Sequence, residues 1–229
     1  MQTSYIYSVS RANTLRQFLL TKSEIERLLV AKAGADLQSA LKETYLAPYV
    51  THVESGDVSE AIEETLIEAK RTVHQIAPNG HMFTFLWVQY DIHNLRVYAK
   101  ARANNLSFEE CAAFVSRRGV YDPKYLFTVT EKSELDFYQS GWQAAFYQAV
   151  KLVAEGKLDA IDTLFDDAYF ATSQAIVEKS GDQFVQTYFK TYIDLHNLKV
   201  ALRTIKYPQV FSGTKYISGG SFTLDNGVS

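Results

Sequence analysis

Apolar residues recur along most of this chain at the three- and four-residue intervals of amphipathic helices. No stretch alternates as a half-buried strand should, so the pattern predicts an all-α fold. A first helical stretch covers residues 11–31, with Leu15, Phe18, Leu19, Ile25, Leu28 and Leu29 on one side and a break near Lys22 that Ser23 would cap. A short helix over 35–45 ends at Pro48, and Asp57, with Glu60 three residues on, caps a helix reaching Gln75. The next helix covers 81–103 and stops at Asn104 and Asn105. Ser107 and Glu110 form a capping box for a helix running to Arg118 and Gly119. Tyr121-Asp122-Pro123 then reads as a turn. Thr130 opens a helix through Ala154, interrupted near Gly141 and ended by Gly156. Residues 158–178 and 182–206 follow, separated by Gly181. Past Pro208 the helical pattern ends.

One motif occurs twice. Asp91-Ile92-His93-Asn94-Leu95-Arg96-Val97 returns as Asp194-Leu195-His196-Asn197-Leu198-Lys199-Val200, 103 residues further on and about one small domain away. Both copies follow an aromatic-rich stretch, and both continue to a basic residue at the same interval, Lys100 and Arg203. The spacing divides the chain into a first helical unit at 1–105, a second at 106–207 and a loop or linker tail at 208–229. Within each copy, Asp91 with Asn94, and Asp194 with Asn197, share a helix face. Ile92, Leu95, Ala99 and Leu195, Leu198, Leu202 form an adjoining apolar stripe. His93, Arg96, Lys100 and His196, Lys199, Arg203 form a separate basic stripe, the candidate interface.

Two readings of the motif stand. In the structural one, Asp and Asn hydrogen-bond the backbone of a loop or a neighbouring helix. In the other, Asp91, His93, Asp194 and His196 share a metal ion, although residues two apart on a helix do not point at one ion. His-x-x-x-His and Glu-x-x-His are absent, as is a His-Asp dipeptide. Also missing are a glycine-rich phosphate loop with Lys-Ser/Thr, Gly-x-Ser-x-Gly and Cys-x-x-Cys. His52, His74 and His81 lie in or near loops. Asp166-Asp167 reads as a cap or an exposed corner rather than an acid–base pair. No cofactor is expected.

Composition narrows the picture. Aromatics reach 14% of the 229 residues, enough for a sizeable core, while 4 Pro and 11 Gly leave helices uninterrupted. The net charge of −3 and the lack of a basic block argue against nucleic acid. The longest apolar run, 82–88, is too short to span a bilayer, and Arg11 and Arg16 interrupt any signal-like start. A cytoplasmic protein is expected, without direct membrane insertion. The single cysteine, Cys111, in an apolar stretch, reads as a buried small hydrophobe.

The order of several segments resembles the C subunit of prokaryotic V-type (archaeal-type) ATPases, equivalent to the d subunit of the eukaryotic vacuolar proton pump. Tyr7 and Arg11 lead to Leu19-Leu20, then to Arg27-Leu28-Leu29-Val30-Ala31, Leu41 and Thr44-Tyr45. The two Asp-x-x-Asn helices, Asp166-Asp167-Ala168-Tyr169-Phe170 and the Gly219-Gly220 loop complete the likeness. The resemblance implies duplicated helical-bundle units of a funnel-like repeat, with two of the family's three units visible. It also implies a non-catalytic central-stalk protein in proton or sodium transport. Such a protein joins the rotor shaft, made of the D and F subunits, to the membrane proteolipid rotor ring on the cytoplasmic face. A helical-repeat protein-binding scaffold unrelated to ATPases is the alternative, and an all-α metal or acid–base enzyme the third.

Overall fold

The computed structural model describes residues 4–32, 34–51, 58–132, 141–207 and 215–222. Every regular element among them is helical. The chain divides into two compact units, Met1–Gly80 and His81–Ser229.

The first unit holds α1 (Ser4–Leu15), α2 (Lys22–Val30), α3 (Ala35–Lys42), α4 (Ala47–Thr51) and α5 (Val58–Ile76). Its small core is Leu41, Leu46, Val50 and Ala61, with Leu28, Leu37, Tyr49 and Val58 packed around them. Thr44 makes the tight corner between α3 and α4: its hydroxyl donates to the Leu41 carbonyl at 2.7 Å and accepts from the Leu46 amide. The break after Phe18 is capped by Thr21, not Ser23, because the Thr21–Glu24 pair closes a reciprocal capping box. Pro48 does not end a helix. It sits in the first turn of α4, where a missing N–H is harmless. The expected cap Asp57 lies outside the described residues, but α5 ends at Ile76, next to the expected Gln75. The Ser8 hydroxyl donates to the Ile76 carbonyl and ties α1 to the end of α5.

The second unit is built on α6 (Phe85–Ala103). After it come α7 (Phe108–Cys111), α8 (Pro123–Lys132), α9 (Trp142–Ala154), α10 (Asp159–Ser180) and α11 (Gln183–Lys206). Helices α8, α9 and α10 pack on α6, and α11 packs on α10. Phe85, Val88, Ile92, Leu95, Tyr98 and Ala99 are all buried, so α6 is the core helix of this unit. Trp142 of α9 is buried beside α10 and donates its indole N–H to the Thr172 hydroxyl at 2.8 Å. Burial raises the Tyr98 phenol well above its usual range, and its hydroxyl donates to the Pro123 carbonyl at 2.9 Å, fixing the start of α8.

Several sequence boundaries move. The Ser107–Glu110 box is present, but α7 is short and passes through a tight turn at Ala112–Phe114 into extended Val115. Asp122 caps α8, accepting from the Tyr125 amide at 2.9 Å, with Pro123 in the first turn. Thr130 lies inside α8 rather than opening a helix, and Gly141, at φ 78, starts α9. Asp182 caps α11, accepting from the Val185 amide. Cys111 is buried. The compact units part at Gly80/His81, whereas the repeat spacing places a boundary at 105/106. The reason is physical: α6 precedes that boundary, and the helices that bury it, α8 to α10, follow it. Of the expected tail at 208–229, residues 215–222 are non-helical and the rest lies outside the described residues.

Candidate functional site

Asp91 and Asn94 project from α6 onto the chain segment 116–121. The Asn94 amide group donates to the Ser116 carbonyl at 2.8 Å, and its carbonyl oxygen accepts from the Ser116 amide at 2.8 Å. One side chain thus satisfies both backbone polar groups of the buried Ser116. Asp91 accepts from the Val120 amide at 2.8 Å and the Tyr121 amide at 3.2 Å. Both side chains are fully buried. Gly119 completes the fit: a Cβ there would lie 2.2 Å from Asp91 Oδ1. Arg118 lies 4.3 Å over the Tyr90 ring and holds the same segment from outside.

The second copy repeats this clasp contact by contact. Asn197 exchanges two 2.8 Å hydrogen bonds with the carbonyl and amide of Ile217. Asp194 accepts from the Ser221 amide at 2.8 Å and the Phe222 amide at 3.2 Å. A Cβ on Gly220 would again lie 2.2 Å from the Asp194 carboxylate. The intervening chain is two residues shorter in the second copy, since Asn and its backbone partner are 22 and 20 residues apart. Its length varies while the clasp geometry does not. Helical spacing named the helix half of each clasp and missed the partner half. The signal was there: each motif is followed by a Gly-x-aromatic step, Gly119-Val120-Tyr121 and Gly220-Ser221-Phe222.

The basic stripe has no such symmetry. His93 pairs through Nε2 with the Phe114 carbonyl at 2.9 Å. Arg96 turns toward α10, where it pairs with Asp166 at 2.5 Å and approaches Asp162 at 3.7 Å. Asp166 and Asp167 therefore stand within α10 rather than at a cap or corner. Lys100, Lys199 and Arg203 are exposed. His196 is half-buried, its ring 4.7 Å from that of Phe170, and it lines a small cleft with Arg96, Asp166 and Tyr169. Among the described residues no group of three or more His, Cys, Asp or Glu is placed to hold a metal ion. Each motif Asp spends its carboxylate on backbone amides instead.

Burial lowers the pKa of His196; Lys199 and Arg203 push the same way, and the Asp166 charge offsets part of the effect. For Asp194, burial works to raise the pKa, but the amides of Phe222 and Ser221 outweigh it and hold the carboxyl below its usual value. Both shifts have the same consequence. In the window below the ordinary imidazole value of about 6.5, the unfolded chain binds more protons at His196 than the folded one. The stability from a neutral His196 is complete above that value and is lost as pH falls toward the folded-state pKa. The Asp194 contribution is present above the ordinary carboxylate value and is lost as pH falls through the lowered one. Thermal midpoints measured from pH 7.5 down to about 3 should therefore decline, and His196→Gln should flatten the decline between pH 7.5 and 5 while leaving the loss below about pH 4 in place. An unchanged slope in the variant would refute the assignment.

No helix among the described residues is long and apolar enough to cross a membrane. The sequence pattern of the ATP synthase (C/AC39) subunit family matches residues 8–226. A curated relative, the C subunit of the A-type ATP synthase of Methanothermobacter thermautotrophicus, is 24% identical over 211 residues, covering 87% of this chain and 54% of the relative. The chain thus spans about half the length of that relative. No solved structure matches the chain.

Proposed function

This chain belongs to the ATP synthase (C/AC39) subunit family, and from that membership we propose that it is a non-catalytic central-stalk component of a V-type rotary ATPase or ATP synthase. In this reading it couples the rotor shaft, made of the D and F subunits, to the membrane proteolipid ring, and it sits on the cytoplasmic face of the membrane. The transported ion, proton or sodium, is chosen in the ring and not in this chain.

The observation that carries the reading is the family match over nearly the whole chain. The physical design is consistent with it. A part that transmits torque must not let its loops and helices slide past one another. Here each motif helix is cross-tied to the segment that follows it through hydrogen bonds to backbone at both its Asn and its Asp. Such ties limit local opening, because breaking one strands buried backbone groups. Lys199 and Arg203, exposed on α11, supply positive charge for an acidic partner surface.

The experiment is a pull-down by the tagged chain of purified D–F shaft and, separately, of the detergent-solubilised proteolipid ring. The chain alone should hydrolyse no ATP and should retain at least one of these partners. Lys199→Glu combined with Arg203→Glu should weaken that retention about tenfold, equivalent to roughly 1.4 kcal/mol. Retention of neither partner by folded protein, or ATP hydrolysis by the chain alone, would overturn the proposal.

A further inference from the structure

Helix α5 closes at Ile76, and the Ala77 amide adds one more bond to its last turn, to the Val73 carbonyl at 3.0 Å. The chain then bends back through Pro78-Asn79-Gly80 onto the side chain of His74 in that turn. An ideal Cβ built on Gly80 would lie 2.7 Å from His74 Cε1, 2.9 Å from Nε2 and 3.0 Å from Nδ1. The ring edge that carries both nitrogens therefore lies against Gly80, and a larger residue would have to displace it. Asn79, one step earlier, is exposed, and no described residue accepts the Gly80 N–H.

We propose that Asn79 is a self-modification site, at which the His74 imidazole promotes deamidation of the Asn79 side chain by the Gly80 backbone nitrogen. Glycine after asparagine sets no side chain between that nitrogen and the amide carbon, so the two can meet. What the reaction then needs is a base for the backbone proton, and a neutral imidazole has one accepting nitrogen. The Gly80 nitrogen gives its proton to the ring and attacks Asn79 Cγ. An N–Cγ bond forms, the Cγ–Nδ2 bond breaks, and ammonia leaves with the proton the ring returns. Water then opens the cyclic imide at one of its two carbonyls, leaving an aspartyl or an isoaspartyl residue.

Either product places a negative charge at position 79. The isoaspartyl form also runs the main chain through the former side chain, which lengthens it by one methylene. That change falls beside Gly80/His81, the step at which the chain passes from one compact unit to the next. The sequence carries its own reference for the chemistry. Asn226-Gly227 is the second Asn-Gly pair, and no histidine occurs after His196. The inference rests on the local placement of His74 and not on the rotary reading.

The test is timed incubation of the folded 229-residue chain at neutral pH, followed by tryptic digestion and mass spectrometry. Residues 72–96 and 216–229 are released as separate peptides, and fragment ions place the mass gain of amide-to-acid conversion at 79 rather than at Asn94. Methyl transfer by an isoaspartyl methyltransferase reads the isoaspartyl product. Conversion is expected at both 79 and 226, and His74→Gln should lower the rate at 79 relative to 226 by about tenfold, less than a base in a finished active site supplies. In guanidinium chloride the substitution should have no effect, because the ring no longer rests on Gly80. No conversion at 79 while 226 converts would overturn the proposal. So would an unchanged rate ratio in a His74→Gln chain whose circular dichroism and melting match the parent, or a slowing that persists in denaturant.

Discussion

Replacing Gly119 by alanine is expected to destabilise the 81–229 unit by about 3 kcal/mol, combining overpacking with loss of buried hydrogen bonds. The added Cβ would lie 2.2 Å from Asp91 Oδ1 and 3.4 Å from the Asp91 backbone nitrogen, so the approach is tight to the helix as well as to the carboxylate. Asp91 is fully buried and cannot swing into water. Any shift that relieves the clash pulls its oxygens off the Val120 and Tyr121 amides. Asp91→Ala should cost about 1–3 kcal/mol, because it leaves those amides unpaired. Gly220→Ala makes the same 2.2 Å contact with Asp194, but Asp194 is only half-buried and can rotate outward. Its cost should be smaller, about 1 kcal/mol. Denaturant midpoints for the three variants test this order. A neutral Gly119→Ala, or Gly220→Ala as severe as Gly119→Ala, would contradict the account of the clasps.

The second large effect separates counterpart positions. Leu95→Asp removes a fully buried side chain worth about 1.5–3 kcal/mol and sets an unpaired carboxylate inside the core, which adds several kcal/mol more. That sum approaches the whole stability of a typical domain, about 5–15 kcal/mol, so the 81–229 unit should fail to fold. Leu198→Asp, at the equivalent place on α11, should change the stability of the 229-residue chain by no more than about 0.5 kcal/mol, as surface changes do. Near-ultraviolet circular dichroism and thermal melts of the two variants read the difference. Comparable losses in both would mean that α11 is covered in solution.

How much of this was legible in the sequence depends on the range of the interaction. Local chemistry read well. The Ser107–Glu110 capping box and the stops at Asn104, Gly156 and Gly181 all act within a turn or two of the chain, and each stands where the residues placed it. Competing local signals read less well. Ser23 lost to Thr21, which has the Glu at the right interval, and Pro48 proved compatible with a first turn. Helix α7 ends early because the chain must become extended at Val115 to lie against Asn94, a partner 22 residues away by Ser116. The same distance hid the receiving half of both clasps. Asp166 was misplaced because its partner, Arg96, is 70 residues distant and unreadable from spacing. Periodicity marked the apolar face of α11 as clearly as that of α6 but carries no information about what covers a face. Hence the matching stripes, and the unequal burial that only the fold reveals.

The central claim is that this polypeptide couples shaft rotation to ion movement. Its most direct test is ATP-driven ion uptake into membrane vesicles carrying the parent rotary complex, prepared with and without the polypeptide that contains this chain. Complexes lacking it are expected to retain ATP hydrolysis in the soluble sector but to take up no ions, and adding the polypeptide back is expected to restore uptake. Full ion uptake in its absence would contradict the claim.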